Sequence, residues 1–146
     1  PHESLLESSD ILHLVFLDQP AVWAIERTAD RKLMGSVGLI VDCARQYGSA
    51  RSLGYALGVD YWGQGYMTEA VREVLRYGFR EMTLDLVSAT CYPKNARSRH
   101  VLEKCGFEYE GTLRRAELLY NGEIEDHLHF CLTHERAAER GLYTPL

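Results

Sequence analysis

Short apolar segments separated by polar turns occupy the region from residue 21 to residue 59, and this spacing predicts three β-strands. The segments cover residues 21–27, 33–43 and 53–59, and Asp30 and Arg31 supply a turn between the first two. The polar stretch 44–52 is predicted to be a loop. Upstream, residues 3–9 have the pattern of a helix end.

Helical periodicity begins at Met67. From residue 67 to residue 82 the small and apolar residues recur at three- and four-residue spacing, which predicts an amphipathic helix. A second helix is predicted over residues 95–105, with Asn95 as its N-cap and Gly106 at its end. The short apolar run 86–92, which Pro93 ends, is predicted to be a strand between the two helices.

Two further strands are predicted near the C-terminus, over residues 107–113 and 125–132. Tyr120, Asn121 and Gly122 favour a turn that joins them into a hairpin. No role is assigned to residues 133–146. The order of elements predicts an α/β (α+β) fold in which helices cover one mixed sheet.

Composition fits a single domain over residues 1–146. The chain is 46% hydrophobic and carries a net charge of −5. An acidic chain is not expected to be a general nucleic-acid binder, whereas it suits a cationic substrate such as an amine. Apolar runs are too short to span a bilayer and no secretory signal pattern is found, so neither a membrane nor a secreted location is expected.

The cysteines indicate a reducing compartment. Cys43, Cys91, Cys105 and Cys131 are widely spaced and form no CxxC pair. Buried reduced thiols in a cytoplasmic protein are therefore expected, rather than disulfides or a zinc site. His127 and His129 share one face of a predicted strand, but the spacing places no third ligand beside them, so no metal is expected.

Residues 59–70, VDYWGQGYMTEA, form the most informative segment. A strand ends at a Gly-rich turn that opens directly into a helix N-terminus, where free N–H groups and the helix dipole favour a phosphate or pyrophosphate. Gly63 and Gly65 allow the backbone to bend and to approach a ligand closely. The segment is neither a Walker loop nor GxGxxG, because Thr68 stands where the third glycine would be. Glycines that serve only the turn geometry are the alternative.

Three blocks in register resemble the GNAT N-acetyltransferases, in the branch that includes the RimJ/RimL ribosomal-protein N-terminal acetyltransferases. The first is residues 61–70, YWGQGYMTEA. The second is NARS at 95–98 followed by LEKCGF at 102–107. A weaker third block is EGTLR at 110–114 with Asn121, Gly122 and Asp126. Trp62 stands where the family's pyrophosphate loop has Gln or Arg, and Met67 replaces a small residue.

This resemblance implies a mixed, mostly antiparallel sheet with helices on both faces, splayed where acetyl-CoA binds. Pyrophosphate contacts are implied for Gln64, Gly65, Tyr66, Met67 and Thr68. Pantetheine contacts are implied for Asn95 and for the backbone of Leu57, Gly58 and Val59, where a splayed strand leaves N–H and C=O groups unpaired. Arg99 and Lys104 are candidates for the 3′-phosphate or the adenosine, with exposed helix cations as the alternative.

The implied reaction is direct attack of a primary amine on acetyl-CoA in a ternary complex. The amine must lose a proton, and the leaving thiolate needs one. Glu117, nineteen residues after Ser98, is the candidate base and is expected to have a raised pKa. Ser98 is the candidate acid and Tyr120 its rival. Glu123, Glu125 and Asp126 add acidic character near the expected acceptor site.

The sequence is compatible with more than one acceptor amine and more than one oligomeric state. A protein N-terminus and a small amine, such as a polyamine, an amino sugar or an antibiotic, are both compatible with the sequence, and so is a homodimer. About twenty residues precede Ala21, whereas the resemblance implies roughly forty for the family's first strand and helices. That unit is therefore expected to be short or missing. The alternative function is a non-catalytic, regulatory CoA-binding module.

Overall fold

A computed structural model of the chain describes residues 21–145, which form one six-stranded sheet and three α-helices. The strands are β1 (Val22–Glu26), β2 (Leu33–Val41), β3 (Ala50–Leu57), β4 (Leu86–Cys91), β5 (Glu108–Leu118) and β6 (Ile124–Thr133). The helices are α1 (Tyr66–Arg80), α2 (Ala96–Lys104) and α3 (His134–Glu139). The strand order is β1-β2-β3-β4-β6-β5. Only β3 and β4 pair in parallel, so the predicted mixed, mostly antiparallel sheet is confirmed.

The sheet opens between β3 and β4. Their pairing runs from Ala50 opposite Leu86 to Leu53 opposite Ala89. Beyond that point β3 continues to Leu57 and β4 to Cys91 without pairing to each other. The predicted splay is therefore present, and it leaves a gap at the carboxyl ends of two central strands.

One face of the sheet carries the main core. Gly78 of α1 packs against β2 so closely that a Cβ atom there would lie 2.8 Å from the Leu39 side chain, which favours glycine at this position. Within residues 21–145 all three helices contribute to this core, and none of these three covers the opposite face of the sheet. The most deeply buried large side chains of this core are Val71, Leu75, Val87, Leu102, Phe130 and Leu132.

Element boundaries differ most from prediction in β3 and β5. Strand β3 begins at Ala50, inside the predicted loop, because Ala50 is buried and pairs with Leu86. It ends at Leu57, and Val59 belongs to a short 3₁₀ turn, Val59–Tyr61. Strand β5 runs to Leu118 through register shifts between Tyr109 and Gly111 and between Leu113 and Glu117, which hide a strand from a search for simple alternation.

The segment after β6, to which the sequence assigns no role, closes the core. Ala137 and Leu142 are buried, and Tyr143 stacks on Phe79 with ring centroids 5.6 Å apart. Arg136 Nε donates a hydrogen bond of 2.8 Å to the Gly106 carbonyl just after α2. This segment therefore fixes the end of α2 against the sheet.

The expectations for the cysteines, the N-terminal segment and membrane-spanning helices have different outcomes. Cys91 and Cys105 are buried as expected, Cys131 is half-buried, and Cys43 is exposed, which corrects the expectation of burial for that thiol. The predicted helix end at 3–9 and the expected short N-terminal unit lie outside the described residues. None of the helices in the described region is long and apolar enough to cross a membrane.

Candidate active site

A cleft of about 880 Å³ occupies the gap between β3 and β4. Its walls are the end of β3, the turn that leads into α1, the loop after β4, one side of α2 along its whole length and the end of the β5–β6 hairpin. The structure brings eight of the predicted site residues to its lining: Leu57, Gly65, Tyr66, Met67, Thr68, Asn95, Ser98 and Lys104. The other five, Gly58, Val59, Gln64, Arg99 and Glu117, are not on the lining.

The turn before α1 presents backbone donors to the cleft. Gly65, the N-cap of α1, has φ +82°, and Gly63 has φ +73°, a region that favours glycine. Within residues 21–145, no acceptor lies within hydrogen-bond distance of the N–H groups of Tyr66, Met67 and Thr68. Three free donors at the positive end of a fifteen-residue helix favour an anion.

The predicted backbone contacts on β3 need correction. Gly58 N–H donates to the Met34 carbonyl at 2.8 Å, because Gly58 continues the pairing of β3 with β2, and its own carbonyl accepts from Tyr61 N–H at 3.0 Å. The Val59 carbonyl accepts from Trp62 N–H at 3.2 Å. The expectation that Gly58 is unpaired is therefore wrong.

Leu57 has the opposite orientation. Because alternate residues of a strand direct their backbone groups to opposite neighbours, Leu57 directs its groups toward the gap, where β4 no longer pairs. Its carbonyl accepts a hydrogen bond of 2.9 Å from Trp62 Nε1. Leu57 is thus the one member of the predicted trio whose backbone faces the cleft.

Basic side chains line the α2 side of the cleft, and the sequence analysis missed most of them. The Arg97 guanidinium lies 4.3 Å from the centroid of the Trp62 ring. Lys94, Arg97, His100 and Lys104 all belong to the lining. Positions 97, 100 and 104 follow helical spacing, so this row was readable from the sequence once α2 was assigned.

Arg99 and Gln64 are engaged elsewhere. Arg99 Nε donates to Glu103 Oε1 at 2.9 Å on the exposed side of α2, and Arg99 is not on the lining, which argues against the predicted phosphate contact. The Gln64 side chain donates to the Asp60 carbonyl at 3.2 Å. An anion contact at Gln64 would therefore use its backbone.

Ser98 is paired with a tyrosine that the sequence analysis did not single out. The Tyr55 hydroxyl lies 2.5 Å from Ser98 Oγ and 3.2 Å from the Ser98 carbonyl. Burial raises the pKa of Tyr55 to about 12. Tyr55 alternates with Leu53 and Leu57 on the helix-covered face of β3, and this alternation was the available signal.

Glu117 is not on the lining of the cleft but contacts Tyr92, which is. Its Oε2 accepts hydrogen bonds from the Tyr92 hydroxyl at 2.7 Å and from His127 Nε2 at 2.9 Å. These two bonds, led by that of Tyr92, lower the pKa of Glu117. The expected raised pKa is wrong, because the carboxylate is hydrogen-bonded in its charged form rather than desolvated.

Tyr120, the rival acid, is fully exposed near the hairpin tip and is not on the lining, so its position gives that role no support. Glu125 does line the cleft, with a side chain only 16% exposed, 3.8 Å from the Lys94 ammonium. Across residues 21–145 no group of His, Cys, Asp and Glu side chains is arranged to hold a metal ion.

Asn95 both begins α2 and lines the cleft. Its Oδ1 accepts from Ser98 N–H at 3.0 Å, which confirms the predicted cap. Asn95→Ala is expected to lower the free energy of unfolding by about 1 kcal/mol, because an orphan N–H of the first turn loses its acceptor. Urea unfolding checks this, and Asn95→Asp, which retains the acceptor oxygen, should remain close to the wild type. Equal stability of the Ala variant would contradict the cap.

The family model described as "Acetyltransferase (GNAT) domain" matches residues 3–108. The chain therefore belongs to the GNAT acetyltransferase family, and the resemblance carried by the three sequence blocks is confirmed. Curated relatives agree. A probable N-acetyltransferase, YjcK, from Bacillus subtilis (strain 168) is 39% identical over 112 residues, covering 75% of this chain and 60% of YjcK.

The ribosomal protein uS5-alanine N-acetyltransferase of Escherichia coli (strain K12) is 37% identical over 81 residues, covering 56% of this chain and 41% of that protein. Among solved structures, the ribosomal-protein-S5-alanine acetyltransferase of Vibrio fischeri superposes with a TM-score of 0.72 at 28% identity, over 90% of this chain and 69% of that one. A RimJ-like relationship is therefore plausible.

A spermidine N-acetyltransferase, SpeG, of Vibrio cholerae has a TM-score of 0.74 at 21% identity, over 97% of this chain and 82% of that one, a likeness of fold alone. The chain spans 60% or less of the length of the two curated relatives described.

Proposed function

We propose that the chain transfers an acetyl group from acetyl-CoA to a primary amine. The observation that carries this proposal is the cleft in the splayed sheet, whose lining includes the three residues with free N–H groups at the start of α1. A phosphate-bearing thioester would fit there because its anionic part would meet these donors while its linear arm would lie along the part of β3 that no longer pairs with β4.

The residues of the cleft suit each part of acetyl-CoA. The N–H groups of Tyr66, Met67 and Thr68 would bind the pyrophosphate. The cations of α2, among them Arg97 and Lys104, would lie near the remaining phosphate. The Leu57 backbone would meet the amides of pantetheine, and Asn95 could do so through the side-chain atoms that its cap bond leaves free.

Ser98 and Tyr55 are best placed to protonate the departing thiolate. Their two hydroxyls share a 2.5 Å contact, and Ser98 opens into the cleft from α2. Tyr55 keeps its proton because burial holds its pKa at about 12. When the amine nitrogen bonds to the acetyl carbon and the carbon–sulfur bond breaks, one hydroxyl would give its proton to sulfur while the other stabilises the oxygen left behind. The proton that the amine nitrogen loses would then return to that oxygen.

The acceptor is proposed only as a primary amine. Proteins named for the alanine of a ribosomal protein and for spermidine represent two acceptor classes, a protein N-terminus and a polyamine. The half-buried Glu125 and the net charge of −5 favour a cationic acceptor over nucleic acid. A single domain acting in the cytoplasm, where acetyl-CoA is available, completes the proposal; a homodimer is left open.

The experiment combines calorimetry with thiol release. CoA binding is measured first, and release of CoA from acetyl-CoA is then followed with spermidine, with an amino sugar and with a short peptide that begins with alanine. Binding together with acceptor-dependent release is expected. CoA binding without release from any acceptor would favour a regulatory CoA-binding module, and absence of binding would overturn the proposal.

A further inference from the structure

Tyr92 lines the cleft and also contacts a polar cluster formed by Glu117 and His127. It follows β4 directly, at the point where β4 has separated from β3, and its side chain belongs to the lining. Leu119 and Glu125 from the β5–β6 hairpin belong to the same lining. The carboxylate of Glu125 suits a cationic acceptor in this cleft.

The hydroxyl of Tyr92 has a fixed direction. It is 2.7 Å from Glu117 Oε2, and a carboxylate can only accept, so the tyrosine proton points toward Glu117, which is not on the lining. With this proton committed, Tyr92 Oη can offer a ligand only its lone pairs. This hydrogen bond also raises the pKa of Tyr92, so the hydroxyl stays protonated at neutral pH.

Glu117 is itself held in place. His127 Nε2 lies 2.9 Å from the same oxygen, and the rings of His127 and Tyr92 are tilted together with centroids 5.7 Å apart. The lowered pKa of Glu117 keeps it charged, which favours its role as an acceptor for Tyr92 over a role as a proton carrier. These contacts join β5, β6 and the end of β4 in one cluster.

We propose that Tyr92 binds an N–H group of the acceptor amine, and that Glu117 and His127 are positioning residues that act through it. The inference rests on the proposed function and gives it a recognition element. A hydroxyl whose proton is committed elsewhere selects a donor, and an amine or ammonium group is a donor. Glu117, predicted from the sequence to be the base, contributes instead by orienting Tyr92.

The test uses steady-state kinetics with spermidine or the alanine peptide, whichever is acetylated faster. Tyr92→Phe keeps the ring and removes the hydroxyl, so the acceptor KM is expected to rise about tenfold, with CoA affinity unchanged. Glu117→Ala should raise the acceptor KM in the same direction. Glu117→Gln should restore part of the loss, since its carbonyl oxygen can still accept from Tyr92.

A double-mutant cycle separates positioning from structural damage. If Glu117 and His127 act through the Tyr92 hydroxyl, then Glu117→Ala and His127→Gln should add almost nothing to the acceptor KM in the Tyr92→Phe background. Fully additive effects would show that they act independently and would overturn their assignment as positioning residues.

Tyr109→Phe is the matched control. Its hydroxyl is also hydrogen-bonded, 2.6 Å from Thr112 Oγ1, but Tyr109 does not line the cleft, and its loss should leave the acceptor KM unchanged. Transfer by the wild type with an unchanged acceptor KM in Tyr92→Phe would overturn this inference alone. Absence of CoA binding and transfer in the wild type would overturn the proposed function as well.

Discussion

Replacing Gly65 with Asp is expected to abolish measurable CoA binding while the chain remains folded. The substitution places a carboxylate at the N-cap of α1, beside the three N–H groups that would bind the pyrophosphate. Repulsion between two anions then replaces attraction between an anion and the helix dipole, and the affinity should fall by at least about 100-fold. Isothermal titration calorimetry with CoA measures this directly.

Gly65→Asn separates charge from backbone strain. Gly65 has φ +82°, where a side chain costs about 1 kcal/mol, and Asn and Asp tolerate this region better than most residues. Apart from the adjacent residues, no atom in residues 21–145 lies within 4 Å of a Cβ built there, so neither variant should clash. Asn should retain much of the CoA affinity. Equal CoA affinity in the Asp variant and the wild type would contradict the placement of the pyrophosphate.

Removing either hydroxyl of the Ser98–Tyr55 pair is expected to lower kcat by roughly 100-fold, within the range seen for a lost general acid. CoA affinity should hardly change in Ser98→Ala or Tyr55→Phe. If the two hydroxyls form one proton-donating unit, the double variant should be little worse than either single variant. Loss of kcat by only twofold in both single variants would remove the pair from the chemistry.

The pH profile gives an independent check on Tyr55. Its pKa of about 12 lies above its ordinary value, so the phenol remains a proton donor well past neutral pH. In the wild type, kcat should therefore show no loss of this donor up to about pH 10. A fall of kcat on the alkaline side that disappears in Tyr55→Phe would mean that the phenol titrates earlier.

Helices and glycines were the predictable part of the fold. The periodicity of residues 67–82 and the Asn95 and Gly106 signals locate α1 and α2 within two residues, because each depends on local geometry. The beginning of β3 was missed because Arg51 and Ser52 look like loop residues. They form a strand because Ala50–Leu53 pair with β4, which is far away in the sequence.

The candidate site likewise has one part that the sequence predicts and another that it does not. The turn before α1 was found because an anion site of this kind is built from consecutive residues. Tyr55, Tyr92 and Arg97 were missed as site residues because each acts through a partner on another element: Ser98, Glu117 and Trp62 respectively. No local pattern marks such a pair. Glu117 was found by its spacing from Ser98. Tyr92 and His127, whose hydrogen bonds lower the pKa of Glu117, were not predicted as its partners.

Among the described residues, both faces of the sheet contribute to the lining of the gap between β3 and β4. Tyr55 belongs to the helix-covered face, whereas His127, between core residues of the opposite register on β6, belongs to the other face. Under the proposed function, the two substrates would therefore enter from different sides and meet at the opening. One entrance could then be remodelled in evolution for a new acceptor without altering the entrance that would serve the common donor.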